Sequence, residues 1–480
     1  MNLVTDPFIP VRFSDGRFQC LSLLQLFENA EIISDLSVNT QERIAILRLL
    51  VGITQAAIGL PRHEEEWDDF GNNLEEEIPR YLQEWEAQFE LFGDDQRFLQ
   101  SKLPASEKAY PISQIDYTSA AGNSPTTLDH RHREPSPEEG NLALTLLVYQ
   151  NFFIGGSMAS KVKGNGPALK TLHTFIRGKT LRETLLLNCI DQDTLRVPVG
   201  RPVWEKSLDA ANATQTYLGR LIPVPCKIWL GENGANVQID QGFIYPEFEE
   251  IAPETSSTII VLTFNKKEEK RLMRAQPNKG IWRDLHSLTV LSKSENEGRS
   301  PQILTSHKFQ LGGTRRVPIW CGEMIKAKDA KILDSVESSF ELPPQLFENA
   351  GRGLYQQGVN HADFRAKLLA DAVKAYGKFL YVDKPDTSAA QRHFWHRLDV
   401  ESAKLLQVVE SPSLLDKERF GPSSDPWSRA VHFAAVEAYQ ASCPAISSRQ
   451  IQAHATGLTK LNPRKKKAAK KATTQTTLPL

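Results

Sequence analysis

Two histidines at alternate positions, in Asp129, His130, Arg131, His132 and Arg133, could serve a metal ion, phosphates or base edges. A metal site needs three or four ligands, and no second His, Cys or Glu cluster of matching spacing accompanies this one. The arginines and titratable histidines suit nucleic acid, and a solvated loop tip is the plain alternative. Gly178, Lys179 and Thr180 end like a phosphate-binding loop, but that loop needs a glycine where this chain has His173. Thr180 reads instead as a helix N-cap, with Glu183 as its capping-box partner. The stretch "IGGSMASKVKGNG" places Gly155, Gly156 and Ser157 ahead of Lys161 and Lys163. Glycine allows close backbone approach and lysine suits phosphate, although such stretches are also ordinary turns. "FNKKEEKR" carries Lys266 and Lys267, and "GGTRRVPIW" carries Arg315, Arg316 and Val317. Each alone reads as a solvated hairpin tip. Together, in a chain with no Ser/His/Asp or Cys/His order and no HExxH motif, they point to nucleic-acid contact. His393 and His396 of "HFWHR" fall on a helix, as packing or capping groups.

The elements that must position these residues are legible in part. The chain has 480 residues, 40% hydrophobic and 24% charged, which fits two or three globular domains. No apolar run approaches the ~18 residues of a membrane span, and the start lacks a signal-peptide pattern, so the expectation is a cytoplasmic protein with no membrane partner. Five scattered cysteines without a CxxC pair read as buried reduced thiols. The net charge of −1 hides an asymmetry: 13 acids and 2 bases between Pro61 and Asp95, against six bases among the eight residues of "RKKKAAKK". A neutral total therefore does not argue against nucleic acid.

"NLVTDPFIPVRFSDGRFQCLSL" reads as a β-hairpin turning at Asp15 and Gly16, with Pro7 and Pro10 confining its first strand to an edge or an irregular segment. "NTQERIAILRLLVGITQAAIG" reads as an amphipathic helix capped by Asn39 or Thr40 and ended by Gly59 and Pro61. Residues 64–92 read as one or two acidic helices; 101–141 show little periodicity, with a long loop at 118–141; 142–153 reads as a helix, and 172–176 as a strand before the helix at Thr180. Short strands follow through 215–320. Three helical patterns, 363–382, 389–410 and 425–442, would be completed to a four-helix bundle by 344–357 or 447–460. The fold class is α+β: a mixed α/β domain at 1–335, a helical bundle at 336–460 and a basic tail at 461–480.

Several stretches in the right order resemble one family. These are "MNLVTDPFIPVRFSDGR", "RIAILRLLVGITQAAIG", "RFLQ", "GGSMASKVKGNG" with "LHTFIRGKTLRETLLLNCI", and "QLGGTRRVPIW". The chain resembles the large subunit of the type I-E CRISPR Cascade surveillance complex, the CasA family. The resemblance implies a non-catalytic subunit of a crRNA-guided antiviral complex. Such a subunit reads the protospacer-adjacent motif (PAM) in double-stranded DNA, helps open the duplex and helps recruit a helicase–nuclease. Its implied partners are the backbone, crRNA 5′-handle-binding and small subunits, the crRNA, target DNA and the helicase–nuclease; no cofactor is implied. Protein reading of a short motif beside guide pairing is the division of labour of RNA-guided systems.

By the same resemblance, the DNA-contacting loop falls on Gly155, Gly156 and Ser157, with Lys161 and Lys163 beside it. The lysine finger falls on Lys266 or Lys267, and a strand-separating wedge on Thr314–Pro318, with Arg315, Arg316 and Val317. A loop meeting the crRNA handle and neighbouring subunits falls on Thr127–Gly140, around Asp129, His130, Arg131, His132 and Arg133. Family wedges commonly carry Asn and Gln where this chain has "TRRVP". Some relatives carry a zinc knuckle near "PCKIWL", where this chain has only Cys226, so no metal is expected. Two rival readings remain: a metal-dependent nuclease using Asp129, His130 and His132, and a purely architectural subunit.

Overall fold

The computed structural model describes residues 1–67, 69–117, 139–155, 162–205, 209–248, 254–264, 267–276, 278–291, 298–307, 315–326, 332–411 and 425–462. The chain forms two compact units, Met1–Arg352 and a second beginning at Gly353.

In the first unit, β1 (Ile9–Phe13) and β2 (Phe18–Leu21) form the expected hairpin, with Gly16 at φ +88° in its turn. β3 (Ile33–Leu36) pairs on the other side of β1, so the proline-bearing strand is central and not an edge. This is tolerated because Pro10 lies outside the β1–β3 register, which starts at Val11 opposite Leu36. α1 (Leu23–Glu28) precedes β3. α2 (Thr40–Ile58) has a reciprocal capping box between Asn39 and Glu42 and ends at Gly59. It is not amphipathic: every residue from Ile44 to Gln55 is buried, because α3 (Leu74–Glu84), α4 (Glu139–Asn151), α5 (Leu181–Asn188), a short helix and a strand pack around it.

β4 (Ala109–Pro111) precedes α4 in the chain, and β5 (His173–Ile176) follows it. The helices α6 (Ala210–Gln215) and α7 (Tyr217–Leu221) come next. β6 (Cys226–Leu230) and β7 (Asn236–Gln241) join β4 in the order β4-β7-β6. β8 (Ile259–Phe264) and β9 (Lys267–Leu272) form a separate hairpin. Short helices α8 (Leu285–Leu288) and α9 (Gln302–Ser306) lead to β10 (Val317–Lys326) and β11 (Ile332–Leu342), in the order β11-β10-β5. The boundary expected at 335/336 falls inside β11. That strand pairs with β10 from Ile332 to Leu342, so these residues belong to the first unit. Gln100 of "RFLQ" is a structural pin: its side chain accepts from Leu230 N–H at 2.9 Å and donates to the Leu91 carbonyl at 2.8 Å.

The second unit contains α10 (Asn349–Phe379) from Gly353 onward, α11 (Ser388–Glu401), α12 (Ala403–Glu410), α13 (Pro426–Ser442) and α14 (Ser448–Leu461). α11 and α12 together make one limb, and α14 supplies the helix that completes the bundle. The 344–357 stretch is a 3-10 turn, Pro344–Phe347, running into α10. Asp425 caps α13 through Ser428, with Pro426 at the first helical position. Trp427 is fully buried and donates its indole N–H to the Gly358 carbonyl at 2.9 Å. His393 and His396 lie on α11, where His393 faces Glu437 at 3.4 Å. Of the basic tail, only Leu461 and Asn462 lie within the described residues.

Candidate nucleic-acid interface

The glycine stretch leaves α4 and returns through a closed neck. Ile154 bridges Asn165, Gly166 N–H donates to the Phe153 carbonyl at 2.8 Å, and Ala168 N–H donates to the Asn151 carbonyl at 3.2 Å. The two sides touch through backbone. A Cβ on Gly155 would stand 2.0 Å from the Gly164 carbonyl oxygen, and one on Gly166 would stand 2.2 Å from that of Asn151. Gly164 itself has φ +89°. Gly155 is thus a glycine because Gly164 lies against it. Lys163 is exposed, and its peptide is gripped on both sides by Gln241 at the end of β7: its N–H donates to Oε1 at 2.7 Å, and its carbonyl accepts from Nε2 at 3.3 Å. Gly156, Ser157 and Lys161 lie outside the described residues.

Lys267 opens β9, opposite Phe264, and is exposed at the hairpin tip. Lys266 lies outside the described residues. Further down β9, Arg271 is held by both oxygens of Glu269, at 2.8 and 2.7 Å. The neck and β9 both line one cleft of about 360 Å³, with Gly166, Lys170, Tyr245, Arg271 and Arg274 in its wall together with the buried Arg220 and Glu254. Lys170 and Asn165 both meet Glu247, at 3.1 and 3.3 Å. Two stretches far apart in the sequence therefore share one site.

Of the wedge residues, Arg315 and Arg316 are exposed. Val317 is 2% exposed because it starts β10, paired with Leu342, and its side chain is unavailable to a ligand. Asp129, His130, Arg131, His132 and Arg133 lie outside the described residues. Among the described residues, no three His, Cys, Asp or Glu side chains converge on a metal position. The "GKT" stretch is a helix start: Thr180 Oγ1 accepts from Glu183 N–H at 3.2 Å, and the Glu183 carboxylate accepts from Lys179 N–H at 2.5 Å, one residue earlier than in a full capping box.

Cysteines 189, 226, 321 and 443 are buried, and burial pushes their thiols up, Cys321 to about 12 and Cys443 to about 11. Cys20 departs from the expectation of buried thiols. It is exposed on β2, where the hairpin face turns to solvent. No described helix is long and apolar enough to cross a membrane.

Sequence reasoning missed the buried charges behind this site. Arg48 is the only charge between Arg43 and Arg62, and that isolation within an apolar helix is the signal of a buried partner. The partner is Glu254. Its carboxylate meets Arg48 Nη1 at 2.8 Å and Arg220 Nε at 2.8 Å. Burial would raise this carboxyl, but the guanidiniums of Arg220 and Arg48 outweigh it and hold the group below its ordinary range. Beside them His173 is fully buried, with one ring nitrogen donating to the Ala168 carbonyl at 2.9 Å and the other accepting from Ser256 Oγ at 2.8 Å. Burial, with the Arg48 charge, pushes the imidazole down to about 4, so it is neutral.

Residues 2–438 match the family model for CRISPR-associated protein Cse1, and the chain belongs to that family. Its fold is similar to CasA of Thermus thermophilus (TM-score 0.77, 20% identity, covering 96% of this chain and 98% of that one). Similar too is Cse1 of Thermobifida fusca (0.70, 20%, 96% and 98%). So is a chain of a CRISPR RNA-guided surveillance complex (0.70, 16%, 96% and 99%). No curated protein matches the chain in sequence.

Proposed function

We propose that this chain is the non-catalytic large subunit of a crRNA-guided antiviral surveillance complex. It reads the protospacer-adjacent motif in double-stranded DNA, promotes local unwinding and R-loop formation, and helps recruit a helicase–nuclease. The observation that carries this reading is the shared cleft: the glycine neck and the β8–β9 hairpin converge on it. In this reading Gly156 and Ser157 meet the motif, where small side chains let the backbone approach base edges. Lys161, Lys163 and Lys266 or Lys267 meet phosphates. Arg315 and Arg316 form the wedge, and Asp129, His130, Arg131, His132 and Arg133 belong to the loop that docks on the crRNA handle and neighbouring subunits. The other subunits, crRNA and target duplex are the partners.

The test is a gel-shift titration at fixed salt. The crRNA-loaded complex, with and without this chain, meets guide-matched duplexes that differ only in the base pairs flanking the target. The chain is expected to tighten favoured flanks by about 1–3 kcal/mol per favourable base pair, and Gly156→Asp to abolish that preference. Equal tightening of every flank would make the chain a scaffold or a general basic clamp.

A further inference from the structure

The glycine neck and the lysine hairpin stand on the same buried ionic cluster. We propose that the Arg48–Glu254–Arg220 triad is a positioning device that sets these two loops relative to each other, and that Asn151 transmits it to the glycine loop. This rests on the reading of those loops as the DNA-contacting ones.

Arg48 enters from the middle of α2 and is 2% exposed. Beyond Glu254, its Nε donates to Asn151 Oδ1 at 2.9 Å and to the Leu221 carbonyl at 3.2 Å. Arg220, from α7, adds Nη1 to the Thr214 carbonyl at 2.9 Å. Two guanidiniums therefore share one carboxylate, and backbone carbonyls and one amide oxygen accept further N–H groups. Glu254 stands on the segment that leads into β8. There its own carbonyl accepts from Ser257 N–H at 2.8 Å, and the Ser256 carbonyl accepts from Thr174 N–H of β5 at 2.9 Å. That side of the triad fixes the root of the lysine hairpin.

Asn151 fixes the other side. It is the last residue of α4 and fully buried. Its side chain is anchored twice: Oδ1 accepts from Arg48, and Nδ2 donates to the Leu147 carbonyl at 2.9 Å. Its backbone carbonyl is part of the neck, accepting from Ala168 N–H and lying against Gly166. One residue thus joins the ionic cluster to the glycine loop. A buried ion pair adds little stability over a well-packed apolar set, so the directional hydrogen bonds are the reason to build one here. They orient two loops that share no strand.

The experiment uses the assembled crRNA-loaded complex and the ratio of affinities between the best and worst flanks. Asn151→Ala removes the acceptor opposite Arg48 and is expected to lower that ratio about tenfold, the size of one good base contact, while binding to a guide-matched single strand is unchanged. Asn151→Asp keeps the acceptor for Arg48 while giving up the donor to the Leu147 carbonyl, so it isolates the Arg48 contact, and it is expected to keep the ratio. If Asn151→Ala is not recovered in the complex, Asn151→Ser, too short to reach Arg48, is read by the same criteria. Gly156→Asp runs in parallel. A ratio unchanged in Asn151→Ala but lost in Gly156→Asp overturns the positioning role and leaves the motif reading standing. Equal loss in the Ala and Asp variants also overturns it, since a merely structural role would not distinguish them. A ratio unchanged in Gly156→Asp means the motif reading itself has failed.

Discussion

Gly155 and Gly166 are glycines for the sake of their neighbours, which separates them from Gly156 in any mutational test. Gly155→Ala drives a methyl to 2.0 Å from the Gly164 carbonyl, where no flexible side chain can yield. It is expected to destabilise the first unit by about 1–3 kcal/mol in a denaturant titration, the usual cost of overpacking. A loss of flank preference in Gly155→Ala would therefore come from a distorted neck and would say nothing of a ligand. Lys267 is the converse case, exposed and at a hairpin tip. Lys267→Ala is expected to leave stability unchanged, weaken all flanks alike and reduce the slope of log affinity against log salt by about 1. A change confined to one flank would assign it a base contact instead.

Among the elements, those built on local rules were legible in the sequence. The β1–β2 hairpin follows from Asp15 and Gly16, α2 starts where Asn39 and Glu42 can cap each other, and α5 starts at Thr180 for the same kind of reason. What was not legible depends on distant partners. β1 is central because β3 pairs with it, and α2 is buried all round because helices from remote stretches surround it. Arg48 could be flagged as odd, yet nothing local names Glu254 as its partner. For the candidate site, the basic and glycine stretches could be picked out, but their meeting at one cleft could not.

α14 shows packing overriding propensity. Alanine in place of Gly457 would favour the helix by about 1 kcal/mol. Its methyl would instead stand 1.9 Å from Tyr439 Oη and 2.8 Å from the Ala372 carbonyl, and Tyr439 is fully buried with its hydroxyl donating to His454. Gly457→Ala is therefore expected to lower the stability of the bundle by about 1–3 kcal/mol on thermal denaturation. A stabilising result would show that Tyr439 has room to move.

For the molecule as a whole, each unit holds a neutral histidine whose imidazole is pushed down to about 4. His173 is held there by burial and Arg48, and His361 by burial and Arg365. Both folded values lie below the ordinary value near 6.5, so the unfolded chain binds the extra proton first. The resulting stability is complete above about pH 6.5 and is lost as the pH falls towards 4, by about 3 kcal/mol for His173. Melting temperature measured between pH 4 and 7 is expected to fall with acidity, and His173→Gln is expected to flatten that fall; an unchanged profile would mean that His173 takes up its proton at the same pH folded and unfolded. The neck has a different kind of consequence. It closes through main-chain hydrogen bonds, Gly166 to Phe153 and Ala168 to Asn151, and those bonds ask nothing of the side chains around them. A lineage can therefore exchange side chains along this stretch one codon at a time and still close the same neck.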